Sequence, residues 1–195
     1  MVQSLLLLAG INEAELKWLH WLREQWQSPF LDKVMPFLSA LADDGWIWIV
    51  LAVVLLCFRR TRRAGVSMCL ALLLGLLIGN VFLKNVIGRI RPYDLDSSVL
   101  LLVERLSDFA FPSGHTLASF DAATALAVRH RRWGCAALLL AASIALSRLY
   151  LFVHYPTDVL AGALLGVALG LFACWLTDRL WDVFLSWHKK RKSRE

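Results

Sequence analysis

The sequence predicts an all-α fold: a polytopic membrane helical bundle of five to six transmembrane helices with an N-terminal interfacial amphipathic helix. Three observations carry that prediction. Hydrophobic residues make up 58% of the 195 and charged residues only 18%, against about 45–50% and about 25% in soluble domains. Mean hydropathy is accordingly high, at +0.59. This composition excludes a disordered chain, which needs low hydrophobicity and high charge, and argues against a soluble two-domain enzyme. Second, there are nine Trp, the residue that gathers at membrane–water boundaries. Third, the net charge of +6 is localised, because twelve of the 21 Lys and Arg fall in three clusters. These are Arg59, Arg60, Arg62 and Arg63; Arg129, Arg131 and Arg132; and Lys189, Lys190, Arg191, Lys192 and Arg194. Each borders an apolar run, which is the pattern of the positive-inside rule and not of a nucleic-acid patch. The lipid bilayer is the expected partner, and nucleic acid is not.

The elements follow in order. Asn12–Gln27 carries Glu13, Lys17, His20, Glu24 and Gln27 on one side and Ile11, Ala14, Trp18, Leu22 and Trp26 on the other. The spacing is helical and the apolar side aromatic, which suits a helix lying in the membrane interface; a core-packed amphipathic helix is the alternative. The run Leu31–Ala42 is broken by Asp32 and Lys33 and closed by Asp43-Asp44-Gly45. It falls short of the roughly 20 apolar residues a crossing needs and reads as a half-inserted helix. Five crossings follow: Gly45–Phe58, Ala64–Leu83, His115–Val128, Trp133–Tyr150 and Pro156–Leu176. Residues 1–44 are then an N-terminal interfacial and half-inserted segment, 45–188 the transmembrane core, and 189–195 a basic tail. Met1–Gly10 has no basic n-region and no cleavage site, so no cleaved signal peptide is expected. Cys57, Cys69, Cys135 and Cys174 sit in apolar runs without metal or redox spacing and are expected to be small buried hydrophobes.

The basic clusters orient the bundle. Arg59–Arg63 marks the cytoplasmic end of the first crossing, and alternation returns Arg129–Arg132 and the C-terminal tail to the same side. Lys84–His115 and Arg148–Asp158 then share the opposite, periplasmic or extracellular side. A sixth crossing before Arg59 would move only the N-terminus.

That outer side collects three spaced motifs. Lys84 and Arg91-Pro92 form K-x6-R-P; Pro112-Ser113-Gly114-His115 forms P-S-G-H; Ser147-Arg148 through His154 to Asp158 forms S-R-x5-H-x3-D. Together, and in this order, they resemble the three-part signature of the type 2 phosphatidic acid phosphatase family, a branch of the superfamily that also holds vanadium haloperoxidases. Every signature position is matched, and the resemblance covers about Lys84–Gly170 in detail. It implies a helical bundle of phosphatases that act through a phosphohistidine, with no metal and no other cofactor. It implies His154 as nucleophile, His115 as general acid, Asp158 as the group orienting His154, and Lys84, Arg91 and Arg148 as phosphate holders. Resemblance to the small bacterial members further implies a membrane lipid phosphate, undecaprenyl diphosphate, as substrate, and the bacterial inner membrane as location. Phosphatidylglycerophosphate, phosphatidate and lipid A phosphates are alternatives, as is phosphotransfer to another lipid.

The chemistry of the residues supports those roles separately. A phosphate monoester carries about two negative charges near neutral pH. Three cations can neutralise it and the charge that builds in the transition state. Lys84 and Arg91 are two helical turns apart, on one face, before Pro92 ends any helix. Pro112 and Ser113 read as a helix start, whose amides and dipole attract an anion, and Gly114 lets the backbone approach it closely. His115 sits where it can protonate a leaving oxygen. Asp158, in the first turn after Pro156, can reach back to His154 and fix its tautomer.

Competing readings use the same residues. Zinc on His115, His154 and Asp158 has enough ligands for a catalytic site, but three neighbouring cations repel a dication. An anion transporter needs charge along a continuous path, and the second, fourth and fifth crossings are nearly free of it. A vanadate-dependent oxidase would need the same cations as the phosphatase. Asp121, six residues into the third crossing, faces the cavity or pairs with Arg89. Gly75-x3-Gly79 and Gly162-x3-Gly166-x3-Gly170 are expected to allow close helix packing.

Overall fold

The computed structural model describes residues 2–192, with side chains over residues 10–184 and at Ser186. Ser193–Glu195 of the basic tail lie outside the described residues. All regular structure among the described residues is helical. The helices are α1 (Val2–Trp26), α2 (Leu31–Ala40), α3 (Trp46–Cys57), α4 (Arg62–Gly75), α5 (Lys84–Ile87), α6 (Pro92–Leu95), α7 (Gly114–Arg129), α8 (Arg131–Tyr150) and α9 (Pro156–Lys192). A π-wound stretch, Leu76–Leu83, joins α4 to α5.

Three helical stretches are long and apolar enough to cross a membrane: Arg62–Leu95, Arg131–Tyr150 and Pro156–Phe184. The segment expected to be a lone half-inserted helix, α2, is one arm of a pair with Asp43–Cys57, bent by 47°, that makes a fourth span if counted as one. Helix α7 has only 16 residues and is the buried centre, with α4, α8 and α9 packed around it. Its Ala, Ser and Thr content explains this: small side chains on every face let three neighbours close in. The glycine stripe of α9 fits the same geometry. A Cβ added at Gly162, Gly166 or Gly170 would lie 2.9, 2.7 or 2.6 Å from the backbone oxygens of Ser113, Leu117 and Asp121. Gly75, at the end of α4, faces the Asp121 carboxylate, and Gly79, in the π-wound stretch, faces Leu117 in the same way.

Two expectations need correction. Lys84 and Arg91 do not share a helix face. Gly88, in the left-handed region at φ 58°, ends α5, and Arg91 stands in extended backbone. On α1 the tryptophans face away from the bundle. Trp18, Trp21 and Trp26 are exposed, while Leu19 and Leu22 are buried with Tyr93 and the Leu149–Tyr155 segment. His20 bonds Asp96 at 2.7 Å and Arg23 the Leu100 carbonyl at 2.6 Å, so α1 is tied to the chain between α6 and α7. Of the cysteines, Cys174 alone is buried; Cys57, Cys69 and Cys135 are exposed on helix surfaces, where the apolar runs face outward.

The α7–α9 contact gives a stability test. Gly166→Ala should force α9 off α7 at a cost of about 1–3 kcal/mol, read as a lower Tm of the detergent-solubilised protein. Gly10→Ala, with no atom within 4 Å of the new Cβ, should leave Tm unchanged or raise it through helix propensity. Equal effects at the two positions would contradict the packing account.

Candidate active site

Four segments converge at the N-terminal end of α7. Lys84 comes from the first turn of α5, Arg91 from the strand-like residues before α6, Arg148 from the last turn of α8, and His154 from the α8–α9 connection. That connection is turned inward by Phe152, which is buried at φ 61°. A bulky residue in the left-handed region is a strained outlier, and here it aims the residues after it at the site.

Of the eight expected site residues, Lys84, Arg91, Ser113, Arg148, His154 and Asp158 are buried, and Gly114 and His115 are half-buried. Lys84, Arg91, Gly114, His115 and His154 line one end of a cavity of about 700 Å³. The His154 ring is fixed at both nitrogens. Nδ1 donates to the Ala110 carbonyl at 2.8 Å, and Nε2 faces Arg91 Nη1 at 3.2 Å. A carbonyl only accepts and a guanidinium only donates, so the hydrogen sits on Nδ1 and the unprotonated Nε2 accepts from Arg91. Burial, then the charges of Arg91, Arg148 and Lys84, hold the His154 imidazole well below its ordinary pKa, so the ring is neutral at neutral pH.

Asp158 does not make the expected ring hydrogen bond; Oδ2 lies 3.6 Å from Nδ1. That oxygen instead accepts from the Tyr155 amide at 2.9 Å, the reach-back of a capping box at the start of α9. Ser113 precedes α7 as its N-cap but makes no side-chain cap bond; its Oγ accepts from Thr116 at 3.0 Å. Pro112 stands one residue outside the helix. Among the described residues no group of three or more His, Cys, Asp or Glu side chains is arranged to hold a metal ion.

Sequence reasoning missed four carboxylates or cations that hold the site. Asp108 takes Lys84 on Oδ2 and Arg91 on Oδ1. Burial opposes its ionisation, but Lys84 and then Arg91 outweigh that and hold the Asp108 carboxyl below its ordinary range. Arg89, expected as a partner for Asp121, instead bonds Asp158 Oδ1 and Glu15 Oε2, each at 2.5 Å. Glu15 also accepts from the Thr157 amide at 2.7 Å and its hydroxyl at 2.9 Å, so a residue of α1 caps α9. Asp43 Oδ1 accepts from His115 Nε2 at 2.7 Å. One signal was available: buried cations require partners, and Lys84 and Arg91 demanded a carboxylate between α6 and α7.

A family model described as the PAP2 superfamily matches residues 64–182. The chain belongs to the PAP2 superfamily. An undecaprenyl-diphosphatase of Sulfolobus acidocaldarius is 33% identical over 137 residues, which cover 70% of this chain and 66% of that protein. Among solved structures, Aquifex aeolicus LpxE matches with a TM-score of 0.71 at 29% identity, over 81% of this chain and 93% of its own. A PAP2-type phosphatidylglycerolphosphate phosphatase from Bacillus subtilis matches at 0.67 and 27%, over 88% and 87%. All eight residues expected from the motifs lie inside the PAP2 match, whereas Glu15 and Asp43 lie before it.

Arg89 tests how this PAP2 site is held. Its side chain is 10% exposed and that of Asp158 fully buried. Arg89→Ala strands two carboxylates and should cost about 3–5 kcal/mol, seen as a large fall in Tm. Arg89→Lys should recover part of it. An unchanged Tm for Arg89→Ala would show that the network carries no stability.

Proposed function

We propose that the chain is a membrane lipid phosphatase that removes the terminal phosphate of a polyprenyl diphosphate, undecaprenyl diphosphate, through a phosphohistidine on His154. The observation that carries this reading is the fixed His154 tautomer, whose unprotonated Nε2 accepts from Arg91 beside the cavity, so that a phosphate drawing Arg91 onto its own oxygens frees that lone pair for attack. The same cavity continues along Ile49, Leu72, Leu73 and Leu76. A phosphate head therefore has cations to meet, and an apolar tail has a slot between α3 and α4. The name of the Sulfolobus relative supports the polyprenyl substrate; those of the structural neighbours make other lipid phosphates the comparison set.

The residues divide the chemistry as follows. Nε2 of His154 attacks phosphorus as the bond to the leaving oxygen breaks, and His115 gives that oxygen a proton. Lys84, Arg91 and Arg148 offset the charge on the remaining oxygens, with the Ser113–Gly114 backbone at the start of α7 adding its dipole. Water then gives its proton to His115 and attacks phosphorus, the P–N bond breaks, and inorganic phosphate leaves. Asp158, through the Tyr155 amide and its charge, steadies the His154 loop.

The same reading has α1 lying in the interface on its exposed Trp face, and five crossings formed by the α2–α3 pair, α4, α7, α8 and α9. The basic clusters and the 189–195 tail are cytoplasmic and the site opens on the outer face of the plasma membrane. Segment 1–44 then packs around the 45–188 core.

Phosphate release from a panel of lipid phosphates tests the activity, with polyprenyl diphosphate expected to be the best substrate. His154→Ala should abolish both turnover and any trapped phosphoenzyme, and EDTA should leave the wild-type rate unchanged. Full activity in His154→Ala, or loss with EDTA reversed only by zinc or magnesium, would refute the mechanism. The pH profile adds a check with a defined sign. Protonation of His154 removes the attacking lone pair, and its pKa is held below the ordinary value. The acid limb of kcat/KM should therefore lie below about pH 6.5; a limb above it contradicts the neutral nucleophile.

Sidedness is read by labelling. In a cysteine-free background, Ser97→Cys should react with an impermeant thiol reagent in intact cells, and Arg60→Cys should not; both positions are exposed. The reverse pattern would put the site in the cytoplasm.

A further inference from the structure

We propose, building on the phosphatase reading, that Asp43 is the positioning residue of the proton-donating histidine: it holds His115 by Nε2 and leaves Nδ1 to meet the leaving oxygen. The contact is 2.7 Å between Asp43 Oδ1 and His115 Nε2. His115 makes no other hydrogen bond among the described residues, so Nδ1 is the nitrogen left for the substrate. The ring lines the cavity together with Lys84, Arg91 and His154.

The fold fixes Asp43 from both sides. Before it, Ser39 of α2 is buried and accepts from Arg148 Nη1. After it, Trp48 of α3 donates to Ser119 Oγ of α7 at 3.0 Å. His115 and Ser119 are four residues apart and stand on one face of α7, so the α2–α3 turn docks on that face at two points. Between the anchors the backbone takes two consecutive left-handed residues, Asp44 at φ 50° and Gly45 at φ 73°. Asp is one of the few residues besides Gly that adopts this region readily, so the Asp44-Gly45 pair suits the turn that sets Asp43 between the two anchors.

Charge explains why a carboxylate is needed there. The groups that face His115 are Arg148 of α8, Lys84 of α5, Asp43 of the turn and His154 of the α8–α9 loop. Arg91, Asp108 and Asp44 line the same cavity. The neighbouring cations favour a neutral ring, whose one proton is then on Nε2 against Asp43, leaving none on Nδ1 to give. Asp43 opposes them by stabilising the imidazolium. In the first step the proton on Nδ1 passes to the leaving oxygen as the P–O bond breaks. In the second, the neutral ring takes a proton from the attacking water and the imidazolium is restored against Asp43.

The test is Asp43→Asn in the purified full chain, assayed on an alkyl phosphate and on a nitrophenyl phosphate, whose leaving group needs no proton. On the alkyl phosphate kcat should fall about ten- to a hundred-fold, part of the roughly 10²–10⁴ that a general acid supplies. On the nitrophenyl phosphate it should fall less than about three-fold. The alkaline limb of the kcat profile should move to lower pH, and Asp43→Glu should restore part of the alkyl phosphate rate. Inhibition by vanadate should be unchanged, showing the phosphate site intact. Equal losses on both substrates with the alkaline limb in place, or no loss on either, would overturn the assignment. His154→Ala run alongside separates this from the reading beneath it: activity surviving in that variant overturns the phosphohistidine route itself, whatever Asp43→Asn does.

Discussion

Three cations held almost out of water, Lys84, Arg91 and Arg148, set the terms for everything around them. A buried charge is tolerated only with partners and hydrogen bonds in good geometry, and a chain this apolar has few to spare. The fold meets the demand from distant segments. Asp108 serves Lys84 and Arg91, carbonyls of Val153 and Asp108 serve Arg91, and the Ser39 hydroxyl serves Arg148. The satisfaction is uneven: Arg148 Nε has no hydrogen-bond partner among the described residues, and cationic donors gathered around one cavity favour an anion there. Stability and the pull on an anion thus draw on the same charges, so removing any one of them disturbs both.

Close helix packing is the second condition, and it serves the first. The start of α7 presents Gly114 and His115 to the cavity, and α9 begins three residues after His154's neighbour Val153. The two ends meet because Ser113 N bonds the Asp158 carbonyl at 3.1 Å, and that approach continues down the helices as the Gly162, Gly166 and Gly170 stripe against α7. A side chain at any of these positions would push the His154 loop away from the α7 start. Apolar packing inside the bundle, far from any phosphate, therefore sets distances in the site.

The motifs were legible because chemistry prescribes residue types and loop ends prescribe spacing: the cations, both histidines, Asp158 and the P-S-G-H turn all reach one end of the bundle. The small-residue stripes were legible for a similar reason, since glycine every fourth residue has one common use between apolar helices. What the sequence hid is tertiary. Lys84 and Arg91 seemed to share a helix because seven residues make two turns, yet Gly88 breaks it and the two meet on Asp108 from different backbone conformations. Phe152 at positive φ carries no sequence signature at all. Glu15 drew no reading, Asp43 read only as the close of an apolar run and Arg89 as a candidate partner of Asp121, because a partner 70 or more residues away leaves no local pattern. For α1 the sequence left two readings open, because lipid and protein core are equally apolar and an aromatic stripe does not say which of them it faces.

The segment before the PAP2 match turns out to hold the site rather than flank it. Glu15 caps α9 and joins Arg89 to the Asp158 turn, Ser39 meets Arg148, and Asp43 meets His115. Each contact acts on a residue that belongs to one of the three motifs or stands beside one. The chemistry-bearing groups come from the matched core, and residues 12–48 add to the orientation that Asp108 and Ala110 give them from within it. The consequence is mechanical. Motion of α1 or of the bent α2–α3 pair against the bundle would loosen the His154 loop, Arg148 and His115 together. Those two elements also carry exposed aromatic surface, including Trp18, Trp21, Phe37 and Trp46, of the kind that settles at a bilayer boundary. Membrane surroundings and catalytic geometry are therefore coupled through the same short stretch of chain, and the bilayer that supplies the substrate also bears on the parts that assemble the site.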